Sequence, residues 1–202
     1  MTKKDEIENE IERIWAILIL AKECFHYSSY LFNPETKKEL DYIEKSADLC
    51  FLRHIIWRTT VIELSKLFSE SQTRDRYNIC HFINKFKKGG HFGDTGISDN
   101  LIQHWKSEIN ENKTTIDTVL KYRDKVYAHD DPNQDVLYTK EVTFEQAERL
   151  MKIVESLITE IYETILDSTP VIETVIFDRL RFDIIKILAE AKECENNFSN
   201  RK

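Results

Sequence analysis

The amino-acid sequence predicts an all-α protein folded as one bundle of five or six helices. Its four glycines all fall within Gly89–Gly96, and its three prolines are Pro34, Pro132 and Pro170. Glycine and proline are the residues that helix interiors tolerate least. The stretches between them are long enough to be continuous helices, and their apolar residues recur every three or four positions, as on one helix face. Strand-like patterns are nearly absent, and the short segment 135–142 is the one candidate.

Two long helices account for the first third of the chain. One apolar stripe of the first helix consists of Ile7, Ile11, Ile14, Leu18, Ala21, Phe25 and Phe32. The second helix is predicted from about Lys38 to Ser69. One of its sides carries Leu49, Leu52, Ile56, Thr60, Leu64 and Leu67. A second apolar row, Ile55 and Ile62, indicates a central helix that is buried on more than one face.

Capping and turn residues place the next two helices. A short helix is predicted from about Arg74 to Lys87, and we interpret the glycine-rich loop 89–96 that follows as mobile. Ser98 has the character of an N-cap residue, so a helix is predicted from there to about Ala128.

The last two helices follow the proline-containing segment. Thr143 and Gln146 form a capping-box pattern. The stripe behind them consists of Phe144, Ala147, Met151, Val154, Ile158, Ile161 and Ile165. A final helix is predicted from about Val171 to Glu195, and the polar tail Asn196–Lys202 is expected to fray. We therefore expect a bundle over residues 1–170 with the C-terminal helix of 171–202 packed on it, as a single domain overall.

Charge is distributed unevenly along the chain. Residues 1–88 carry 15 Lys/Arg against 14 Asp/Glu, whereas residues 89–202 carry 14 against 22, giving the net charge of −7. A broad basic face for nucleic acid is therefore not indicated. Any RNA contact must be local, in a cleft or across a dimer.

Apolar runs and cysteines indicate a cytoplasmic protein. No run approaches the roughly 20 apolar residues that span a bilayer, and the acidic first residues lack the basic flank of a secretory signal. The four cysteines form no paired motif and are expected to be reduced thiols on helices. They are Cys24, Cys50, Cys80 and Cys194.

The residues that suggest chemistry lie near the end of the helix that begins at Ser98. Its apolar stripe consists of Ile102, Trp105, Ile109, Ile116, Val119 and Val126. The same spacing places Asn112 and Arg123 on this stripe. A cation on a buried face needs an anionic partner, a ligand or a second subunit. The alternative is a surface arginine whose stem reaches solvent.

A histidine follows this arginine by six residues. His129 lies near the predicted helix end, because Pro132 disfavours continuation. The partial negative charge of a helix C-terminus stabilises a protonated imidazole, which suits a general acid or base. In an ideal helix, two side chains six residues apart point about 120° away from each other around the axis. The side chains of Arg123 and His129 therefore converge only if the helix ends or distorts before His129, or if a second subunit completes the site. The simpler interpretation is a histidine that caps the last turn.

These residues resemble the Arg-x(4–6)-His motif of HEPN domains. Asp124 matches the polar residue that HEPN domains often carry directly after the arginine. The wider run Tyr122–Asp131 is similar to the AbiU-type (abortive-infection) branch of that superfamily. The segment Phe51–Phe68 is also similar to this branch, because it is predicted to be a long central helix at the expected distance before the motif. The resemblance covers roughly residues 5–165.

The resemblance implies an antiparallel, HEPN-like helical bundle that forms a homodimer, in which two Arg/His motifs meet in a composite cleft. Many HEPN proteins are metal-independent endoribonucleases. By position, Arg123 is expected to steady the scissile phosphate of RNA. His129 is expected to move a proton to or from the 2′-hydroxyl or the leaving oxygen, and Asp124 to orient these groups or accept from an RNA hydroxyl. No cofactor is implied.

Two functional hypotheses follow. The first is a ribonuclease of a phage-defence or toxin–antitoxin system, with RNA as substrate and an antitoxin or defence protein as partner. The second is an inactive HEPN module that binds a partner protein or a nucleotide. HEPN toxins that a nucleotidyltransferase silences carry a tyrosine two residues after the histidine. Here Asp131 stands there, and Tyr127 precedes the histidine, so this form of control is not expected.

Weaker signals point to further binding residues. The most basic patch consists of Lys85, Lys87 and Lys88, and together with Lys125 it is a candidate for phosphate-backbone contact. The alternative is a solvated helix end. Cys50 and His54 are spaced like metal ligands on a helix, but no second pair has a recognisable spacing, so no metal site is predicted. The glycine cluster lacks the Gly-Lys-Ser/Thr and the preceding strand of a phosphate-binding loop.

Overall fold

Helices account for most of the backbone, as the spacing of glycine, proline and apolar residues predicts. The computed structural model describes residues 2–70, 77–127, 142–171 and 180–199, with only the backbone described at 125–127, 180–182 and 194–199. Within these ranges there are eight α-helices and no strand, which confirms the all-α prediction. They are α1 (Lys3–Phe32), α2 (Lys37–Lys45), α3 (Ala47–Phe68), α4 (Ile79–Lys85), α5 (Asp99–Glu111), α6 (Lys113–Lys121), α7 (Phe144–Ile161) and α8 (Leu180–Ser199).

Two helices change geometry at their C-terminal ends. α6 continues into a π-helical segment at Tyr122–Tyr127, and α7 continues into another at Tyr162–Leu166. Across the described ranges, none of the helices combines the length and the apolar character that a membrane crossing requires.

The chain forms two compact units, each assembled from separated parts of the sequence. The first unit consists of Met1–Ala21 and Thr60–Glu173, and the second of Lys22–Thr59 and Thr174–Lys202. In the second unit α8 packs against α2. A small core there contains Leu31, Ile43 and Ile185, with partly buried Tyr30, Tyr42, Leu49 and Ile56 around it.

The predicted apolar stripes form the core of the first unit. The stripe at the start of α1 is buried at Ile7, Ile11, Ile14, Leu18 and Ala21. The face of α7 is buried at Ala147, Leu150, Met151, Val154, Leu157, Ile158 and Ile161. Each fully buried aliphatic side chain of this size stabilises the fold by about 1.5–3 kcal/mol relative to an exposed one. The capping box of α7 is present: Thr143 Oγ1 accepts from the Gln146 N–H, and Gln146 Oε1 accepts from the Thr143 N–H.

The long helix predicted from Lys38 to Ser69 is interrupted. Ser46 adopts an extended conformation (φ −96°, ψ 110°), and its hydroxyl accepts from the Leu49 N–H at the start of α3. α2 itself starts at a capping box in which Thr36 and Glu39 satisfy each other's backbone N–H groups. The Thr-x-x-Glu pattern is a recognisable start signal. The prediction of one continuous helix was therefore wrong, because a local cap satisfies the backbone where the pattern alone showed no interruption.

Burial along α3 also differs from the prediction of a helix buried on several faces. The C-terminal part is buried on most sides, from Thr60 to Phe68. In contrast, the large apolar residues Phe51, Leu52 and Ile55 are exposed, with Phe51 at 64% of its surface. The periodicity of α3 predicted its helical character and could not tell which part of it is covered.

The helix predicted from Ser98 to Ala128 begins where expected and then breaks once. The Ser98 hydroxyl accepts from the Leu101 N–H, which confirms the N-cap. Asn112 leaves helical geometry (φ −101°, ψ 10°) and its Nδ2 donates to the Glu108 carbonyl, so that α5 ends and α6 begins at Lys113. Asparagine competes with the helical backbone for hydrogen bonds in this way.

Other helix ends shift from their predicted positions. Asn78 Oδ1 accepts from the His81 N–H, so α4 begins at Ile79 rather than near Arg74. α8 continues to Ser199, into the tail that was expected to fray. At the predicted start of the last helix, Val171 is not helical, and residues 172–179 lie outside the described ranges. The candidate strand 135–142, except for Val142, also lies outside them.

The glycine-rich loop, predicted to be mobile, is anchored in the core of the first unit. Phe92 is 1% exposed, and its ring lies 5.3 Å from that of Phe86 and 6.2 Å from that of Phe82. Its N–H donates to the Lys85 carbonyl at 2.8 Å. A Cβ at Gly90 would lie 2.4 Å from the same carbonyl oxygen, so this turn requires glycine. The cluster of glycines permits a tight turn that returns an aromatic side chain to the core.

A partly buried hydrogen bond connects α5 with α7. Trp105 is 2% exposed, and its Nε1 donates to Glu160 Oε2 at 2.6 Å. The other oxygen of Glu160 accepts from the Ser156 hydroxyl at 2.8 Å. A charged acceptor makes this a strong hydrogen bond.

Replacing Phe92 with alanine is expected to lower the free energy of unfolding by about 3–5 kcal/mol, because it removes a buried aromatic ring and leaves a cavity. Urea denaturation measures the change. The neighbouring His91 is 55% exposed and pairs with Glu6 at the surface, so His91→Ala is the control, with an effect within about 0.5 kcal/mol. Equal effects of the two substitutions would contradict an anchored loop.

Replacing Glu160 with alanine is expected to destabilise the first unit by about 1–3 kcal/mol, because the buried Trp105 N–H loses its acceptor. Thermal unfolding, followed by circular dichroism, measures the loss. Glu148 on the same helix forms an exposed pair with Lys152, and Glu148→Ala is expected to change stability by less than about 0.5 kcal/mol. A Glu160→Ala protein as stable as Glu148→Ala would show that the hydrogen bond contributes little.

Candidate functional site

The candidate site is held by the buried face of α6. Ile116, Val119 and Tyr122 are all buried, so this face is fixed against the core of the first unit. Directly after it the helix becomes π-helical at Tyr122–Tyr127. A π turn has i→i+5 hydrogen bonds, and such turns are frequent at functional sites.

Arg123 and Asp124 lie within this π-helical segment. The Arg123 Nε donates to Asp124 Oδ1 at 2.8 Å, and the arginine side chain is 21% exposed while the aspartate is 57% exposed. Arg123 therefore has an anionic partner and is mostly covered, as its place on the apolar stripe predicts. A charge-assisted hydrogen bond of this kind restricts the orientation of the guanidinium.

His129 and the side chain of Lys125 lie outside the described residues. The helix does distort between Arg123 and the position of the histidine, since Tyr122–Tyr127 is π-helical. That is one of the conditions under which the two side chains could converge. The assignment of Arg123, Asp124 and His129 to one site stays a prediction.

A cavity of about 520 Å³ opens beside the motif within the first unit. It is lined by the end of α3 together with α4, α5 and α6. The residues around it are Phe68, Glu70, Cys80, Ile83, Asn84, Lys87, Lys106, Ile109, Asn110, Lys113, Ile116, Asp117 and Leu120. Asp117 and Leu120 also line a smaller depression that includes Lys121 and Asp124. The Arg123–Asp124 pair therefore adjoins the cavity through a shared wall.

The structure separates the three lysines of the basic patch. The Lys85 ammonium lies 2.5 Å from Glu10 Oε1 and 5.6 Å from the centre of the Phe92 ring. Lys85 thus contributes to the packing of the first unit. Lys87 lines the cavity, and Lys88 is exposed.

Two further lysines on the cavity wall were missed by sequence reasoning. Lys106 lies on α5 and Lys113 begins α6. They are seven residues apart, a spacing that brings two side chains to similar faces of a continuous helix. This spacing could have been noticed in the sequence, but their convergence with Lys87 depends on how α4 packs beside α5.

Cys80 forms part of the cavity lining. Burial raises the pKa of its thiol to about 11, with the nearby Glu70 carboxylate adding to the increase and Lys113 opposing it. The thiol is therefore protonated at neutral pH and a weak nucleophile, since the thiolate is the reactive form.

A metal centre has no support in the part of the chain that the structure describes. No group of three or more His, Cys, Asp or Glu side chains converges there. The pair considered from the sequence has other contacts: the Cys50 thiol donates to the Ile43 carbonyl at 3.4 Å, and the His54 ring packs edge-on against Phe32. Within the described residues, Cys24, Cys50 and Cys80 are not part of a disulfide.

Comparison with protein families gives a match over most of the chain. A family model described as AbiU2 (HEPN_AbiU2) matches residues 4–180. The matched range includes the cavity and the run Tyr122–Asp131 with its arginine, aspartate and histidine. None of the curated proteins and none of the solved structures is similar enough to the chain to count as a match.

Alkylation of Cys80 by iodoacetamide is expected to be slow at pH 8 and to reach half its maximal rate near pH 11. A thiol pKa of about 11 in place of the ordinary 9.0 leaves about 100-fold less thiolate at pH 8. Peptide mass spectrometry at a series of pH values gives the rate at this cysteine. The protein unfolded in guanidinium chloride is the control, and its Cys80 should reach half its maximal rate near pH 9. Identical pH profiles in the two states would contradict the raised pKa.

Proposed function

This chain belongs to the AbiU2 family of HEPN domains, and from that premise we propose that it is a metal-independent endoribonuclease of a phage-defence or toxin–antitoxin system. The observation that carries the proposal is the Arg123–Asp124 pair, held in a π-helical turn beside a cavity. Clefts with convergent polar groups are the usual positions of substrate sites.

The proposed reaction is attack by the RNA 2′-hydroxyl on the adjacent phosphorus. His129 accepts the 2′-hydroxyl proton as O2′ bonds to phosphorus. The bond from phosphorus to O5′ then breaks, and O5′ receives a proton, so that the products carry a 2′,3′-cyclic phosphate and a 5′-hydroxyl. Arg123 binds a non-bridging phosphate oxygen and stabilises the charge that develops there. The exposed Asp124 carboxylate accepts a hydrogen bond from a ribose hydroxyl and holds the guanidinium in position.

A homodimer is part of the proposal, because one helix does not readily bring Arg123 and His129 together. A second subunit would supply the histidine that protonates the leaving oxygen. The exposed apolar side chains of the second unit offer surface for a partner, and Phe51, Ile184 and Ile187 are each more than 60% exposed. Where exposed apolar side chains lie together, they commonly mark interaction sites. An antitoxin or another defence protein could use the same surface.

The alternative is a HEPN module without catalytic activity that binds a partner protein or a nucleotide. Two observations favour it. Asp124 already neutralises part of the Arg123 charge, and residues 89–202 carry eight more acidic than basic residues, which weakens attraction to RNA.

Cleavage of RNA by the purified protein in EDTA distinguishes the two functions. Wild-type protein is expected to produce 2′,3′-cyclic phosphate ends, and Arg123→Ala or His129→Ala is expected to lower the rate by at least about 100-fold. Arg149→Ala and His104→Ala are matched controls, since both residues are exposed and lie outside the proposed site. Both controls should cleave at the wild-type rate.

Growth during expression provides a second measurement. Expression of the wild-type protein should slow growth of the host cells, and cells that express Arg123→Ala or His129→Ala should grow at the normal rate. If wild type and His129→Ala leave RNA equally intact, the ribonuclease proposal is overturned and the binding module is favoured.

A further inference from the structure

The cavity beside the motif has an apolar floor and a basic wall. Phe68, Ile83 and Ile116 are buried below it, and Lys87 and Lys106 lie on its side. Its volume of about 520 Å³ is in the range of small-molecule sites. The cavity is formed within one unit of one chain, so a second subunit is not needed to complete it.

Lys87 and Lys106 approach one another on the cavity wall. The pKa of Lys106 is lowered, first by burial and then by the positive charge of Lys87, while Asp99 acts in the opposite direction. Within the described ranges neither lysine forms a salt bridge, although several other lysines there pair with carboxylates. Two adjacent cations disfavour each other's charged form, and a bound anion would remove that cost.

The other charged groups that line the cavity have contacts of their own. Lys113 lies 3.5 Å from Asp117 Oδ1 and is paired with it. Glu70 lies close enough to Cys80 to raise the pKa of its thiol. Two amide side chains, Asn84 and Asn110, also line the cavity and can donate to an anion or to the edge of a base.

We propose that this cavity binds a nucleotide, with its phosphate between Lys87 and Lys106 and its base over the apolar floor. The nucleotide belongs either to an RNA chain or to the free pool, and both present the same phosphate and base. Because the cavity shares Asp117 and Leu120 with the depression at Asp124, an RNA nucleotide bound here flanks the scissile phosphate. Binding of an RNA nucleotide at this position rests on the proposed function, whereas binding of a free nucleotide does not.

Isothermal titration of the full-length protein tests the proposal with defined probes. The probes are the four nucleoside 5′-monophosphates, the four nucleosides, inorganic phosphate, and an oligonucleotide with 2′-O-methyl riboses that attack by O2′ cannot cut. The variant is Lys87→Gln/Lys106→Gln. The control with the same change in net charge is Lys152→Gln/Lys186→Gln, at two exposed positions outside the cavity. Because Lys87 is exposed, Lys87→Gln alone serves as a variant that preserves the fold.

We expect the double variant to bind the probes about tenfold more weakly than wild type, or weaker still. Lys87→Gln alone should lose part of this affinity, since each lysine contributes to phosphate binding. The control should bind as wild type does. A loss seen with monophosphates identifies a free nucleotide as the ligand, and a loss confined to the oligonucleotide identifies RNA. Bound ligand should also slow alkylation of Cys80, which lines the same cavity. The proposal is overturned if wild type binds none of the probes. It is also overturned if both variants bind them with affinities within twofold of wild type.

This test is separate from the test of cleavage. If the protein binds nucleotides through these lysines but does not cut RNA, the proposed nucleotide site is kept and the proposed ribonuclease activity is overturned. Conversely, Lys87→Gln/Lys106→Gln is compared with wild type in an RNA cleavage assay: if it cuts RNA with an unchanged KM and binds the probes as wild type does, the ribonuclease proposal is kept and the proposed nucleotide site is overturned.

Discussion

The architecture of the first unit depends on the burial of one face of α7, to which α5 is joined by the hydrogen bond from Trp105 to Glu160. The apolar stripe of α7 provides the driving force, since removal of apolar surface from water is the largest favourable contribution to folding. The hydrogen bond adds direction, because a buried indole N–H is costly without an acceptor. Together they position α5, and the cavity wall that carries Lys106 follows from that position.

The site depends on the places where helices stop being regular. Asn112 separates α5 from α6, and the π-helical segment at Tyr122–Tyr127 ends the regular part of α6. Between them, the buried Ile116 and Val119 hold α6 against the core. The Arg123–Asp124 pair therefore extends from a rigid support into a locally altered helix. Irregular geometry on a rigid support is common where side chains must be aimed at a ligand.

The glycine-rich loop shows how a correct sequence observation can lead to a wrong structural interpretation. Clustered glycines permit unusual backbone angles, and the sequence indicated a mobile connection. In the structure the same freedom allows a tight turn, with Gly89 at φ 80°, that returns Phe92 to the core. Local propensity describes which conformations are allowed, and long-range packing against Phe82 and Phe86 selects one of them.

The sequence by itself determined the all-α class, the apolar stripes of α1 and α7, the caps at Ser98 and Thr143, and the AbiU-type HEPN family with its Arg-Asp pair. These features depend on local spacing and on residue types, which a sequence states directly. The breaks at Ser46 and Asn112 come from local hydrogen bonds that the apolar spacing does not show. Only the tertiary structure decided the exposure of Phe51 and the meeting of Lys87 with Lys106. Both depend on which side chains from distant segments lie next to one another, and helical periodicity is the same whether a face is covered, left exposed or opened into a cavity.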